Sequence, residues 1–241
     1  LVYMYEPPMH REEFEAAVDE LAGTPVECLN LMLGDISSLL YDTKAGQMWG
    51  GNIVKWPHNG WRRASQNFRS LIGEGTDPLR IACDRAHAKG MLLYAQLLAQ
   101  QGARERDLQN WEREGFEEDD RRDAVQPLEI GAGGGLDPAW PGYRCLDFRH
   151  QEVRSKTLAV IGEVLAGYPV DGLELELNYT PFYFHPDRVG AGRSIMTEWL
   201  ARVYRAVKKS GPERELALHV PGSVEGCMSV GLDVLEWIRL G

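Results

Sequence analysis

A chain of 241 residues with 44% apolar and 26% charged side chains is long enough for one sizeable core and reads as a single α/β domain over residues 1–241. Its formal charge of −10 comes from 36 acidic and 26 basic residues, and the basic residues are scattered. This argues against a nucleic-acid partner, which would need clustered Lys and Arg to neutralise phosphates, and no apolar run approaches the length that spans a bilayer, so no membrane partner is expected.

In chain order, the first strand-like run is Val2 to Glu6. The chain opens directly in it, with neither an initiator Met nor a basic leader region, and so looks trimmed. A second run, Val26 to Leu33, is followed by a long connection, Gly34 to Gly75, that carries Asp35, Trp49, Trp56, Trp61 and the pair Arg62-Arg63. The tryptophans fall outside any periodic segment and are expected in a loop. There they form either a small loop core or flat faces on which a sugar ring stacks while neighbouring polar groups bond its hydroxyls. Asp77 before Pro78 reads as a helix N-cap with Pro at the first helical position, and Gly23, Gly90, Gly167 and Gly211 fall where helix C-terminal caps belong.

The third run, Met91 to Leu98, leads into a connection from Ala99 to Tyr143 that holds a charged helix-like piece and then Gly131-Ala132-Gly133-Gly134-Gly135. No Lys-Ser/Thr follows these glycines and no strand directly precedes them, so they read as a flexible hinge or disordered tip and a poor phosphate loop. No GxGxxG follows the first strand either, and no cofactor is expected. Cys28, Cys83, Cys145 and Cys227 show no CxxC spacing and read as buried free thiols.

A helical pattern from Gln151 to Ala166 precedes the strict alternation Asp171-Gly172-Leu173-Glu174-Leu175-Glu176-Leu177-Asn178-Tyr179, and another from Ser194 to Lys209 follows it. Side chains alternate across a strand, so Glu174, Glu176 and Asn178 share one face and Leu173, Leu175 and Leu177 the other. The flanking helices predict a parallel βα unit whose leucines pack under helices while the acidic face looks into a barrel or along a sheet end. A solvated antiparallel strand is the alternative. The last run is Leu216 to Val220.

Five strands alternating with helices predict an α/β fold of the (β/α)8 TIM-barrel type. A full barrel takes about 250 residues, so this one is expected to be incomplete, with about five βα units. An open five-stranded sheet is the rival arrangement. In the incomplete barrel, a second copy in a homo-oligomer, or further polypeptide, covers the edge after the fifth strand.

Carried through every strand, the alternation places Asn30, Tyr94, Gln96, Glu174, Glu176 and His219 toward one lumen, with Glu176, Asn178 and His219 nearest the C-terminal ends where barrel sites lie. Carboxylates at i and i+2 are about 7 Å apart, close enough to oppose each other's ionisation and raise one pKa toward that of a general acid. Asp147 and Arg149 precede the helix that leads into the acidic strand; Asp147 either caps that helix or meets substrate. Tyr179 and His185 follow the acidic strand. Glu176, His185 and His219 lack the spacing of a metal motif, and no metal is expected.

The run Asp171-Gly-Leu-Glu-Leu-Glu-Leu-Asn-Tyr-Thr-Pro, preceded by Leu146-Asp147-Phe148-Arg149-His150-Gln151-Glu152-Val153-Arg154, resembles glycoside hydrolase-like barrel proteins related to glycosyl hydrolase-like family 10. The segment Asp77-Pro78-Leu79 through Arg85-Ala86-His87-Ala88-Lys89-Gly90-Met91 is similar to the helix and strand entry of the same proteins, and the likeness runs from about Asp77 to the C-terminus. The chain departs from the family pattern at Glu176, where Asp is usual, at Gln151, where Pro is usual, and at Leu98 and His219, where basic residues are expected.

The resemblance implies a glycosidase acting on a poly- or oligosaccharide. Glu176 would be its catalytic carboxylate and Glu174 an assistant. Asp35, Trp61, Arg62, Gln96, Asp147, Arg149, Asn178, Tyr179, His185 and His219 would bind substrate. The alternative is a non-catalytic carbohydrate-binding barrel protein.

Overall fold

The computed structural model of the chain describes residues 2–36, 38–50, 56, 58–100 and 126–240. Among them, four strands form one parallel sheet in chain order: β1 (Cys28–Met32), β2 (Leu92–Leu98), β3 (Gly172–Glu176) and β4 (Glu215–His219). The helices are α1 (Arg11–Asp19), α2 (Asn59–Gly73), α3 (Pro78–Ala88), α4 (Gln151–Gly167), α5 (Val189–Ser210), α6 (Val224–Ser229) and α7 (Val234–Leu240). Parallel neighbours need a crossover, and helices supply each one.

The alternation sorts the two faces of the sheet as expected. Leu173, Leu175 and Leu177 are fully buried, and with Leu93, Ala95 and Leu97 of β2 they join Val160, Ile161 and Val164 of α4 and Met196, Trp199 and Val203 of α5 in one core. Strand register stacks the other face in rows: Asn30, Tyr94, Gly172 and Glu215; then Met32, Gln96, Glu174 and Ala217; then Leu98, Glu176 and His219. This face is open. Met32 and Leu92 on it are 45% and 47% exposed, so most of the side chains expected in an enclosed lumen lie on an accessible sheet surface, while Leu98 and Glu176 at its C-terminal end are buried.

The expected first strand, Val2 to Glu6, is a series of turns. Its backbone finds partners in side chains of α2: the Asn67 amide, fully buried, donates to the carbonyls of Val2 and Tyr5 at 2.9 Å each and accepts from the Met9 amide at 3.0 Å, and Arg63 donates to the Tyr3 carbonyl at 3.2 Å. With its groups satisfied this way, the segment has no need of a sheet neighbour.

The long connection after β1 is also partly helical. It starts with a tight turn at Gly34, φ +86°, where a Cβ would lie 2.0 Å from the Ser38 carbonyl oxygen, and then forms α2. Trp61 and Arg62, expected in a loop, sit in the first turn of α2, whose N-cap His58 accepts from the Gly60 amide at 3.1 Å. The helix escapes a hydropathy reading because its buried stripe is Ala64, Ser65, Asn67 and Leu71, mostly small or polar side chains.

Other boundaries follow the sequence. Asp77 caps α3, accepting from the Leu79 amide at 2.8 Å, and Pro78 opens the helix. The α4 start at Gln151 is as expected, while α5 begins earlier than Ser194, at Val189, because Gly192 lets the Phe184 ring lie against its first turns. Gly131 belongs to the 3-10 turn Ile130–Gly133 and packs under Tyr143, whose ring a Cβ would meet at 2.6 Å. Gly131 is thus packed, while Gly133, Gly134 and Gly135 are exposed, with nothing within 4 Å of an added Cβ. Cys83, Cys145 and Cys227 are buried free thiols, but Cys28 is exposed because it lies on the open face of the edge strand β1. The charged helix-like piece expected between Ala99 and Tyr143 lies outside the described residues.

Candidate functional site at the C-terminal end of the sheet

Glu176 ends β3 and is only 7% exposed. One of its oxygens accepts from the backbone amides of Asn178 and Tyr179, at 2.6 and 2.9 Å, and the other is hydrogen-bonded to Nδ1 of His219, its register partner on β4. The turn after β3 therefore wraps its amides around the carboxylate. Asn178, expected as a third polar side chain on the strand, instead lies in that turn and contributes its N–H. Tyr179 follows it, 64% exposed.

Glu174 stands one row below and faces the other way along the sheet. It accepts from the side-chain amide of Asn30 on β1 at 2.7 Å and is bonded to that of Gln96 on β2. The partners of Glu174 thus lie on β1 and β2, while those of Glu176 lie on β4 and the following turn. In the lowest row, the Tyr94 hydroxyl crosses Gly172 to donate to Glu215 at 2.5 Å.

The remaining expected residues sit on other elements. Asp147 is fully buried and accepts from Arg149, through its amide at 2.9 Å and its guanidinium at 2.6–2.8 Å. The N-cap of α4 is His150, so Asp147 shapes the turn before the helix and holds Arg149 rather than capping. The pairing keeps the Arg149 guanidinium above its usual pKa, chiefly through the hydrogen bond to Asp147. His185 accepts from the Asp187 amide at 3.2 Å and so caps the 3-10 turn Pro186–Arg188. Asp35 is 7% exposed in the turn after β1, and the Trp61 ring stands 6.3 Å from that of His58. Trp49 packs against the core and against Trp56, with ring centroids 5.6 Å apart. Arg62 is exposed. Among the described residues, no group of three or more His, Cys, Asp or Glu side chains is arranged to hold a metal ion.

Sequence reasoning missed Gln100, 3% exposed just beyond β2. Its side chain donates to the carbonyls of Leu146 and Phe182, at 2.8 and 2.9 Å, and accepts from the Leu146 amide at 3.2 Å. It ties the end of β2 to the Asp147 turn and to the segment after β3. A Gln directly after the apolar run Leu97-Leu98-Ala99 was the available signal.

The two motifs that carry the family resemblance meet at the opposite end of the sheet. His87 of α3 bonds Asp171 at 2.8 Å, and the same carboxylate oxygen accepts from the Leu93 amide at 2.8 Å. They border an open cleft of about 580 Å³ that also involves Tyr94, Glu213, Arg214 and Glu215.

No family model matches the chain, and no curated protein does. Among solved structures, the α-L-fucosidase isoenzyme 2 of Paenibacillus thiaminolyticus is similar with a TM-score of 0.51 at 11% identity, over 91% of this chain and 31% of that one. A cycloisomaltooligosaccharide glucanotransferase of Paenibacillus sp. is similar with a TM-score of 0.49 at 12% identity, over 93% of this chain and 30% of that one. An α-galactosidase of Geobacillus stearothermophilus has a TM-score of 0.48 at 12% identity, over 95% of this chain and 29% of that one. The chain thus spans about a third of the length of the solved chains it matches. At such identity the likeness shows the fold alone, a mixed α/β chain with a parallel sheet, and it does not reach glycosyl hydrolase-like family 10.

Proposed function

We propose that the chain contributes to a protein that binds and hydrolyses a poly- or oligosaccharide, with the C-terminal end of its polar sheet face as the site. The observation that carries the reading is the placement of Glu176. It is a buried carboxylate at the C-terminal end of a parallel strand, held by two turn amides and a His, on a face bordered by further polar side chains. Barrel enzymes carry out their chemistry at that end of their strands. Glu176 is the group on which turnover depends. His219, Asn178 and Tyr179 lie beside it, Arg149, held by the buried Asp147, adds a charged group, and Asp35, Trp61, Arg62, Gln96 and His185 are the further sugar contacts. No cofactor or metal is needed for this chemistry.

One observation favours a second reading, a carbohydrate-binding protein without turnover. Glycosidases use two carboxyl groups, and Glu174 is committed at both oxygens to Asn30 and Gln96. A screen of the wild-type protein against aryl glycosides and natural oligosaccharides separates the two. It should begin with α-L-fucosides, because a protein of similar fold bears the fucosidase name. Hydrolysis supports the first reading, saturable sugar binding without hydrolysis supports the second, and neither would remove carbohydrate from the account.

A further inference from the structure

Glu176 and His219 form a contact whose two ends differ sharply in exposure: the Glu176 side chain is 8% accessible and that of His219 is 55%. A carboxylate only accepts hydrogen bonds: one oxygen of Glu176 accepts from the amides of Asn178 and Tyr179, and the other is in contact with Nδ1 of His219. The imidazole must then carry its proton on Nδ1. In the neutral ring the other nitrogen, on the accessible side chain, keeps a lone pair.

Resting on the reading that this strand end is the ligand site, we propose that Glu176 is a positioning residue. It locks His219 in the Nδ1–H tautomer, so that Nε2 is presented on the open sheet face as the acceptor for a ligand hydroxyl. Glu176, in this arrangement, acts through His219 and not by direct contact with the sugar. The pairing fixes the ring in two ways. Its Nδ1 is bound to the carboxylate, and its backbone carbonyl accepts from the Leu177 amide at 2.8 Å, which registers β4 against β3 beside the pair. A sugar, rich in hydroxyl donors, is the ligand class such an acceptor takes.

The test is the tautomer of His219, read by nitrogen-15 spectroscopy of the histidines and assigned by the signal lost in His219→Gln. The wild type should show Nδ1–H. In Glu176→Gln the Asn178 and Tyr179 amides can pair only with the carbonyl oxygen of the new side chain. Its NH2 then faces Nδ1, which must accept, and the ring should switch to Nε2–H. An Nε2–H ring in the wild type, or no switch in the folded variant, overturns the proposal.

A double-mutant cycle on a glycoside that the wild type cleaves adds the functional half. Glu176→Gln and His219→Ala should each lower turnover, and the double variant should lose no more than the worse single one, because the two groups act as a unit. Losses that multiply would overturn it as well. The spectroscopy needs no substrate: a protein that cleaves no glycoside but shows the switch would end the hydrolase reading and leave the dyad standing.

Discussion

The two glutamates of β3 carry different duties although they are one register step apart on the same face. Glu174 spans β1 and β2 through the amides of Asn30 and Gln96, a cross-strand tie that would be expected of an internal polar layer. Glu176 meets the exposed His219. A third acid, Glu163 of α4, had no motif to mark it, yet it organises the loop after β1. It accepts from the hydroxyls of Tyr41 and Thr43 at 2.6 and 2.7 Å and from the amides of Lys44 and Ala45 at 2.6 and 3.0 Å. Burial pushes its pKa up, but the bonds from Tyr41, Thr43 and the two amides together outweigh burial and hold it below the usual value.

The sign of the pH effect follows. Because the folded-state pKa of Glu163 is depressed, its contribution is present above the unfolded value and lost as pH falls through the folded one. Acid titration of stability should therefore show a loss below the ordinary Glu range, about pH 4.3, that is missing in Glu163→Gln. At neutral pH Glu163→Ala should cost about 1–3 kcal/mol, because the buried Tyr41 hydroxyl loses its partner. Denaturant melts of the two variants and the wild type at pH 3.5 and pH 7 decide it; a Glu163→Gln acid profile superimposable on the wild type would contradict the assignment.

At the scale of elements, β3 was the most legible part of the sequence, because strict alternation records which face is buried and its flanking helices record that the strand is parallel. The Asp77-Pro78 cap was legible for a similarly local reason. What stayed hidden was written in tertiary contacts. Val2 to Glu6 has strand-like residues but takes its hydrogen bonds from Asn67, more than sixty positions away, and α2 hides its buried stripe in Ala, Ser and Asn. The polar face itself was anticipated at Asn30, Gln96, Glu174, Glu176 and His219, which do pair among themselves. Gln100 and Glu163 were not, since their partners belong to distant loops.

The row beneath the site yields a prediction at this scale. Tyr94 reaches Glu215 only by lying across Gly172, where an added Cβ would meet the Tyr94 ring at 2.8 Å and the Glu215 carbonyl oxygen at 2.9 Å. The carbonyl belongs to β4 and cannot swing aside as a side chain can. Gly172→Ala should thus destabilise the protein by about 1–3 kcal/mol, the range for overpacking, and Tyr94→Ala should relieve part of that loss. A thermal melt of Gly172→Ala unchanged from the wild type would mean that the strands are spaced more loosely than described.

Across the whole molecule, the sheet has two edges, β1 and β4, each paired on one side among the described residues, and its polar face is open. Large apolar side chains gather near the C-terminal helices: Val224, Leu235, Ile238 and Leu240 are 43–78% exposed. Uncovered parallel edges and apolar surface of this kind invite association. We propose that a second copy of the chain or further strands cover them in the working protein. On sedimentation, the 241-residue polypeptide alone should run heavier than its 27.1 kDa monomer; a monodisperse monomer at tens of micromolar would count against this.

The account turns on whether the strand-end site acts on sugar through Glu176, and one comparison tests that most directly: glycoside turnover and sugar affinity of the wild type and of Glu176→Gln, side by side. The amide is nearly isosteric, and a sugar hydroxyl both donates and accepts, so affinity should change little even with the His219 tautomer reversed. Turnover should fall by at least about a hundredfold, the lower range for losing acid–base assistance, here given by Nε2 of the His219 ring that Glu176 orients. Full turnover in a folded Glu176→Gln variant, on a glycoside that the wild type cleaves, would contradict the account and move the chemistry elsewhere in the protein.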